Sequence, residues 1–532
     1  LESRADGRAS WIFTDASGEA QIETEVAPDT RTPKAVWIEK LSVMDATLIY
    51  DAEGSDLVSY SNVDLTLDWP ERLGAATIDA KLSPVGQDVE LTATIGSFAG
   101  FITGQVQPIT ASVRAGQGAL TLDGRGSTAG DVAGQLTLEM PSTDDFLVAL
   151  GLPAPGLPEG LGQSLNLSTQ MTLTSDRVLS LRDLIIDMGA NALAGAADIS
   201  LNGTPQINAQ LSAGSLDLSG SSSSETASAS GSASVGAGWP KDTIDASGLA
   251  AFNGEIALSA KEIDLGQFKV GQTRALLRND NSRMVFELRE VAAYAGTVTG
   301  EFVMNNRSGL SVGGKLFASG IDMQAVLRDA AGIERLTGAA DAEMSFLGSG
   351  QSVDALMKSL SGQGAIQFGQ GTILGIDLDR LMRSGAVGGG TTVFDSLGAT
   401  WTIEGGVMRN NDLLLSLSNY EARGAGQVGL GAQTIDYTFT PVALRANEGN
   451  GIAIPVRMVG PWSDVSIRPD LEAAIDLNFS AEKERIEQQA KDAVRSKLAE
   501  ELNVTEPDAD LGEAAQQKLE DEVKKGLLKL FD

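Results

Sequence analysis

The sequence predicts a mostly-β protein: an antiparallel sheet of many short strands, with a few short helices and a helical C-terminal tail. Apolar and polar residues alternate with a period of two through most of the chain, the pattern of strands with one face on oil and one in water. Glycine reaches 61 residues while aromatics are only 5%, a balance that suits strands and turns better than an aromatic core. From Ser480 onward the alternation gives way to charged, helix-forming sequence.

Up to about residue 140 the strand pattern recurs in close succession. It is readable in VWIEKLSVM near Val36, NVDLTLDW from Asn62, ATIDAKL from Ala76, VELTATI from Val89, ALTLDG from Ala119 and QLTLEM from Gln135. Asp144 to Leu150 predicts one or two helical turns, stopped by the three prolines between Pro153 and Pro158. Strands resume from Asn166 to Leu218. The Ser-rich stretch Ser219 to Gly238 has nothing to bury and reads as a solvated linker.

The most regular stretch runs from Leu360 to Asp470. Ile366 and Phe368 alternate with polar neighbours, Gly369 to Gly371 predict a turn, and Thr372 to Ile376 a second strand of the same hairpin. Asp377 is placed to cap a short helix whose apolar side is Leu378, Leu381 and Met382. Further strands are predicted at Trp401–Met408, Asp412–Leu430, Thr434–Leu444, Gly451–Gly460 and Asp464–Asp470. An apolar-Asp-apolar step recurs at Asp217, Asp264, Asp322 and Asp377, each ending a strand-like run, which suggests one sheet extended by similar units. In the tail, Pro507 separates two helices, and Leu511, Ala515, Leu519, Val523, Leu527 and Leu530 make a narrow apolar stripe on the second. The predicted division is 1–218 for the N-terminal part of the sheet and 219–240 for the linker. Residues 241–475 form the C-terminal β region and 476–532 the charged amphipathic tail.

Composition excludes several functions. The chain has no Cys and no His, so disulfides, imidazole metal ligands and Ser-His or Cys-His nucleophile pairs are absent. No enzyme, cofactor or metal site is predicted. A net charge of −32 over 532 residues repels phosphates and argues against nucleic-acid binding. GAGQVG (Gly424 to Gly429) has the spacing of a dinucleotide loop but opens no helix, so it reads as a turn between strands. GLSVGGK (Gly309 to Lys315) is followed by Leu316 where a Mg²⁺-binding Ser or Thr belongs, and Asp377 with Asp379 lacks a third ligand. No window approaches 18 uncharged apolar residues. On periodicity alone the strands favour closed β-sandwiches whose apolar faces meet.

Four segments carry a resemblance to a known family. They are GxxxGIDLDRLM (Gly371 to Met382), TxFDSLxATWTIEGGVMRNNDL (Thr392 to Leu413), GxGxVGL (Gly424 to Leu430) and IPVRMVGPWSDVSIRPDL (Ile454 to Leu471). GRASWIF (Gly7 to Phe13) and LSVMDATLIYDAEG (Leu41 to Gly54) extend it upstream. In this order they resemble the AsmA family, bacterial envelope proteins grouped with bridge-like lipid-transfer proteins.

The resemblance implies a long, twisted, U-shaped sheet, β-taco-like, with an apolar groove. Roughly 25 strands at about 4.8 Å each would give a groove on the order of 120 Å. It implies bridge-like transfer of phospholipids between inner and outer membranes in the periplasm of a Gram-negative bacterium, supporting outer-membrane biogenesis. It also implies inner-membrane anchoring through an upstream helix, the chain from Leu1 being read as a fragment or processed form. The alternative is a structural or assembly factor for outer-membrane proteins, with a self-filled sheet and no lipid path. The predicted groove residues are Ile366, Phe368, Leu413, Leu415, Leu417, Ile435, Tyr437 and Phe439. A contact with the outer membrane, or with a protein in it, is predicted at Leu519, Val523, Lys524, Lys525, Leu527, Lys529, Leu530 and Phe531, where lysines flank an apolar stripe.

Overall fold

A computed structural model describes residues 2–3, 38–52, 58–219, 238–443 and 453–478, apart from 267, 332–333, 376, 379, 381–388, 419 and 454. The chain divides into two compact units. Unit 1 comprises Leu1–Ser230, Asp245–Ala293 and Glu301–Ser308, and unit 2 comprises Gly231–Ile244, Tyr294–Gly300 and Gly309–Asp532. The protein is mostly β, and its open mixed sheet does not close into a barrel.

Unit 1 begins with β1 (Glu2–Ser3), β2 (Lys40–Ala52), β3 (Val58–Asp68), β4 (Ala76–Leu82) and β5 (Val89–Ile95). Helix α1 (Phe98–Ile102) precedes β6 (Gln107–Ala115), β7 (Gly118–Gly126) and β8 (Val132–Met140). Helix α2 (Thr143–Ala149) leads to β9 (Leu165–Leu173), β10 (Val178–Asp187), β11 (Ala192–Ser200) and β12 (Gln206–Asp217). Then come β13 (Asn253–Asp264), β14 (Lys269–Val270), β15 (Thr273–Asp280) and β16 (Arg283–Ala293). From β2 to β12 each strand pairs antiparallel with the next, because short connections return the chain beside itself.

Two pairings depart from the all-antiparallel expectation, the first being the short β1 beside β2, with Glu2 opposite Asp51. In the second, β12 and β13 run parallel, with Leu216 opposite Ile263 and Asp217 opposite Asp264. Parallel neighbours need a long crossover, and residues 218–252 supply it. The four aspartates of this repeated step serve local turns and helix starts. Asp217 accepts from the Ser219 backbone N–H at 3.0 Å, Asp264 from Gly266 at 2.8 Å, Asp322 from Gln324 at 3.0 Å and Asp377 from Arg380 at 3.0 Å.

β17 (Gly296–Asn305) belongs to unit 2 up to Gly300 and to unit 1 from Glu301, and unit 2 continues with β18 (Ser311–Asp322), α3 (Met323–Ala331), β19 (Leu336–Ser349), α4 (Val353–Ser359) and β20 (Ser361–Leu374). It goes on with β21 (Thr391–Phe394), β22 (Ser396–Glu404), β23 (Val407–Ser416), β24 (Tyr420–Gly429) and β25 (Thr434–Ala443). It ends with β26 (Val456–Pro461), β27 (Ser466–Pro469) and α5 (Leu471–Asn478). Two expectations from sequence fail here. Gly369 to Gly371 make no hairpin turn but lie inside β20, and Gly424 to Gly429 lie inside β24. In both strands an aromatic ring from the neighbouring strand occupies the space a side chain would need: Phe394 over Gly371, and Tyr437 over Gly424 and Gly426. The helix predicted after Asp377 begins at Leu378, whose N–H donates to Thr392 Oγ1 at 3.0 Å.

Most of the linker, 220–237, and the tail from residue 479 onward fall outside the described residues.

Candidate functional site

Paired residues in neighbouring strands share a face, so the register traces which side chains stand in line. In unit 1 one line runs Leu65, Ala80, Leu91, Val113, Leu120, Leu138, Leu167, Ile186, Leu193, Ala213. Every member is apolar and only partly buried. At about 4.8 Å per strand the line extends on the order of 40 Å. Full burial on this face comes mid-strand in β9 to β11, at Thr169, Leu184 and Ala197, and at strand ends in β5, β6 and β8. Val89, Ala115 and Met140 pack under Phe146 and Ala149 of α2, whose N-terminus is capped by Ser142. The apolar face is thus sealed at one rim from β5 to β8, while the line itself stays partly accessible.

Unit 2 repeats the arrangement with a heavier seal. The line Ile321, Ala340, Phe368, Leu397, Leu415, Ala422, Pro441 crosses the sheet at one rim and is buried throughout. Leu378 and Phe394 close over it, the Phe394 ring meeting Phe368 edge-on at 6.2 Å. At the other strand ends, backbone atoms of Leu356 and Met357 in α4 stand against Gly348 and Gly406. Between the rims lies the line Leu316, Met344, Gly364, Trp401, in which Met344 is 36% exposed and the indole of Trp401 rests on the bare backbone of Gly364.

The predicted groove residues in β20, β23 and β25 all stand on this apolar face. Ile366 and Phe368 face it from β20, Leu413 and Leu415 from β23, and Ile435, Tyr437 and Phe439 from β25. Leu417, just past β23, packs against the same cluster. Their environments differ. Phe368, Leu415 and Tyr437 are buried, while Ile366, Leu413, Leu417, Ile435 and Phe439 are partly accessible. Sequence reasoning missed Leu316, Met344, Trp401 and the whole line in unit 1. Period-two alternation marks each of them as facing one side, but only the pairing register places them in one line. The tail contact predicted at Leu519 to Phe531 lies outside the described residues.

A polar network crosses the apolar band where β23 bulges between Asn410 and Leu413. Tyr437 donates its O–H to Asn410 Oδ1. The Asn410 amide donates to the Thr400 carbonyl at 2.7 Å and to Asp412 Oδ1 at 2.8 Å, and Thr400 Oγ1 donates to Asp412 Oδ2 at 2.6 Å. The hydroxyl and backbone N–H of Thr400 hold the Asp412 carboxyl below its usual range. Burial, with the nearby Asp412 charge, pushes the Tyr437 phenol up to about 12. The network satisfies the bulge and offers no free nucleophile.

An apolar face running across many strands, fenced at its rims by short helices, is the setting for the family comparison. Residues 164–413 match the model of the AsmA family. Over that span, just under half of the chain, the sequence is similar to the AsmA family. AsmA proteins are bacterial envelope proteins. The matched span takes in the sheet from β9 to β23, including Met344, Trp401 and Phe368. Gly424 to Leu430 and Ile454 to Leu471 lie beyond it. Neither the curated proteins nor the solved structures hold a match to the chain. Among the described residues no helix is long and apolar enough to cross a membrane, which says nothing about strands.

Proposed function

We propose that this AsmA-like chain carries phospholipids along its apolar face between the inner and outer membranes of a Gram-negative envelope, without enzymatic chemistry. The observation that carries the reading is the line from Leu65 to Ala213, apolar at every step and nowhere fully buried. A sandwich core would hide such a line. Each acyl CH₂ kept from water is worth about 0.8 kcal/mol, so a two-chain lipid crosses an aqueous compartment only if its chains stay covered. Side chains of similar, non-directional character at each step let the chains slide without a deep trap. Headgroups stay at the wet side of the trough.

The competing reading, an assembly factor with a self-filled sheet, draws on the buried line from Ile321 to Pro441. Adjacent positions in β19 separate the two. Met344 stands on the apolar face, and Glu343, paired with Phe317 and Ala365, stands on the opposite one. A photoreactive amino acid at 344 is expected to form phospholipid adducts on irradiation in cells, and one at 343 is not. No adduct at 344, or equal labelling at both, favours the self-filled sheet.

A further inference from the structure

The segment read from sequence as the end of a solvated linker is fastened to unit 2 at both of its ends. Trp239 donates its indole N–H to the Leu430 carbonyl at 2.7 Å, in the β24–β25 connection. Its ring meets Trp462 edge-on at 6.4 Å, and Trp462 in turn donates to the Thr434 carbonyl at 3.1 Å. Gly238 N–H donates to the side chain of Gln433, a residue only 5% exposed, at 3.3 Å. Beside Trp239, Asp354 N–H donates to the Pro240 carbonyl at 2.9 Å, and at the far end Ile244 N–H donates to the Gln351 carbonyl at 2.8 Å. These partners sit at the start of α4. Between the anchors, Lys241 to Thr243 are exposed.

The attachments to the β24–β25 connection and to α4 fall on adjacent residues, Trp239 and Pro240, so the segment ties the two together directly. Under the segment, the connections of this rim are already tied side by side. Gly431 N–H donates to the Gly406 carbonyl at 3.0 Å, and Gly406 N–H to the Leu360 carbonyl at 2.9 Å.

We propose that Gly238–Ile244 is a clamp that holds the β24–β25 connection to the start of α4, and with it the width of the apolar band below. Trp239 is a positioning residue. A chain held at two points resists spreading of the strands between them, whereas a solvated linker would leave each connection free to open alone. The clamp stands on its own contacts. Its consequence for lipid rests on the proposed function.

Hydrogen–deuterium exchange on the whole chain tests it, with Trp239→Ala and Trp239→Phe beside the native protein. In Trp239→Ala, amide exchange is expected to quicken on the order of tenfold at the β24–β25 connection and equally at 351–356, as for loss of a buried hydrogen bond. Trp239→Phe keeps the ring against Trp462 but loses the N–H donor, and falls between. Loading with phospholipid from vesicles is expected to speed up in the same order. Quickening confined to 430–434, with 351–356 unchanged, overturns the clamp and leaves a local cap. Should Trp239→Ala lose its fold, the comparison rests on Trp239→Phe, and an unchanged pattern there overturns the proposal. If the native protein takes up no lipid, the transport reading fails while the exchange pattern still decides the clamp.

Discussion

Trp401 lies with its indole against the backbone of Gly364 on the paired strand, so closely that a Cβ at 364 would overlap the ring. Gly364 is therefore a requirement of Trp401 and not a flexible joint. Gly364→Ala is expected to destabilise unit 2 by about 1–3 kcal/mol as the ring is forced off its seat. Gly369, in the same strand, faces open space, and a methyl group added there would meet no atom within 4 Å. Gly369→Ala is expected to be neutral or stabilising by up to about 1 kcal/mol. Thermal unfolding of the two variants gives the comparison, and equal losses would refute the packing account.

Phe368 and Met344 share a face but not an environment, at 3% and 36% exposed. Phe368→Asp removes packing worth about 3–5 kcal/mol and buries an unpaired carboxylate as well. Unfolding of unit 2 is the expected result. Met344→Asp exposes its charge to water and is expected to cost below about 2 kcal/mol, while reducing bound lipid. Circular dichroism separates the outcomes, and a folded Phe368→Asp protein would mean that this rim is open.

The Tyr437 phenol gives a pH window. Its folded value, about 12, lies above the ordinary value of 10.0. Ionisation is favoured in the unfolded chain first, so the stability gained from the neutral buried phenol is intact below pH 10 and is lost as pH rises toward 12. Tyr437→Phe has no such loss. The stability gap between native protein and variant is expected to narrow between pH 10 and 12, and a gap constant across that range would contradict the burial argument.

In unit 1, Asn191 is fully buried and ties two chain segments together. Its amide donates to the carbonyls of Gly160 and Asp217, and its Oδ1 accepts from Asp217 N–H. Asn191→Leu strands those groups at about 1–3 kcal/mol each. Chemical denaturation is expected to show the loss, and a variant as stable as the native protein would show that these groups find other partners.

Alternation made the strands and their faces legible. Ile366, Phe368, Leu413, Leu415, Ile435, Tyr437 and Phe439 do share a side. Depth was not legible, because burial of Phe368 depends on Leu378 and Phe394 folding back over it from later in the chain. The glycines of β20 and β24 resembled turns because glycine is also the turn residue. The rings of Phe394 and Tyr437 explain Gly371, Gly424 and Gly426 as strand positions. Nor did the sequence indicate that β12 and β13 lie parallel, since the order of strands around a long crossover is a tertiary choice. The anchoring of Trp239 was hidden for the same reason: its partner Leu430 is 191 residues away.

Native mass spectrometry of the chain, purified without detergent from a Gram-negative host, tests the lipid path most directly. More than one phospholipid is expected to remain bound per chain, because an uncovered apolar line crosses both β3 and β12 in unit 1 and a second band crosses unit 2. A spectrum of bare protein, with no phospholipid retained under conditions that preserve its fold, would contradict the lipid path.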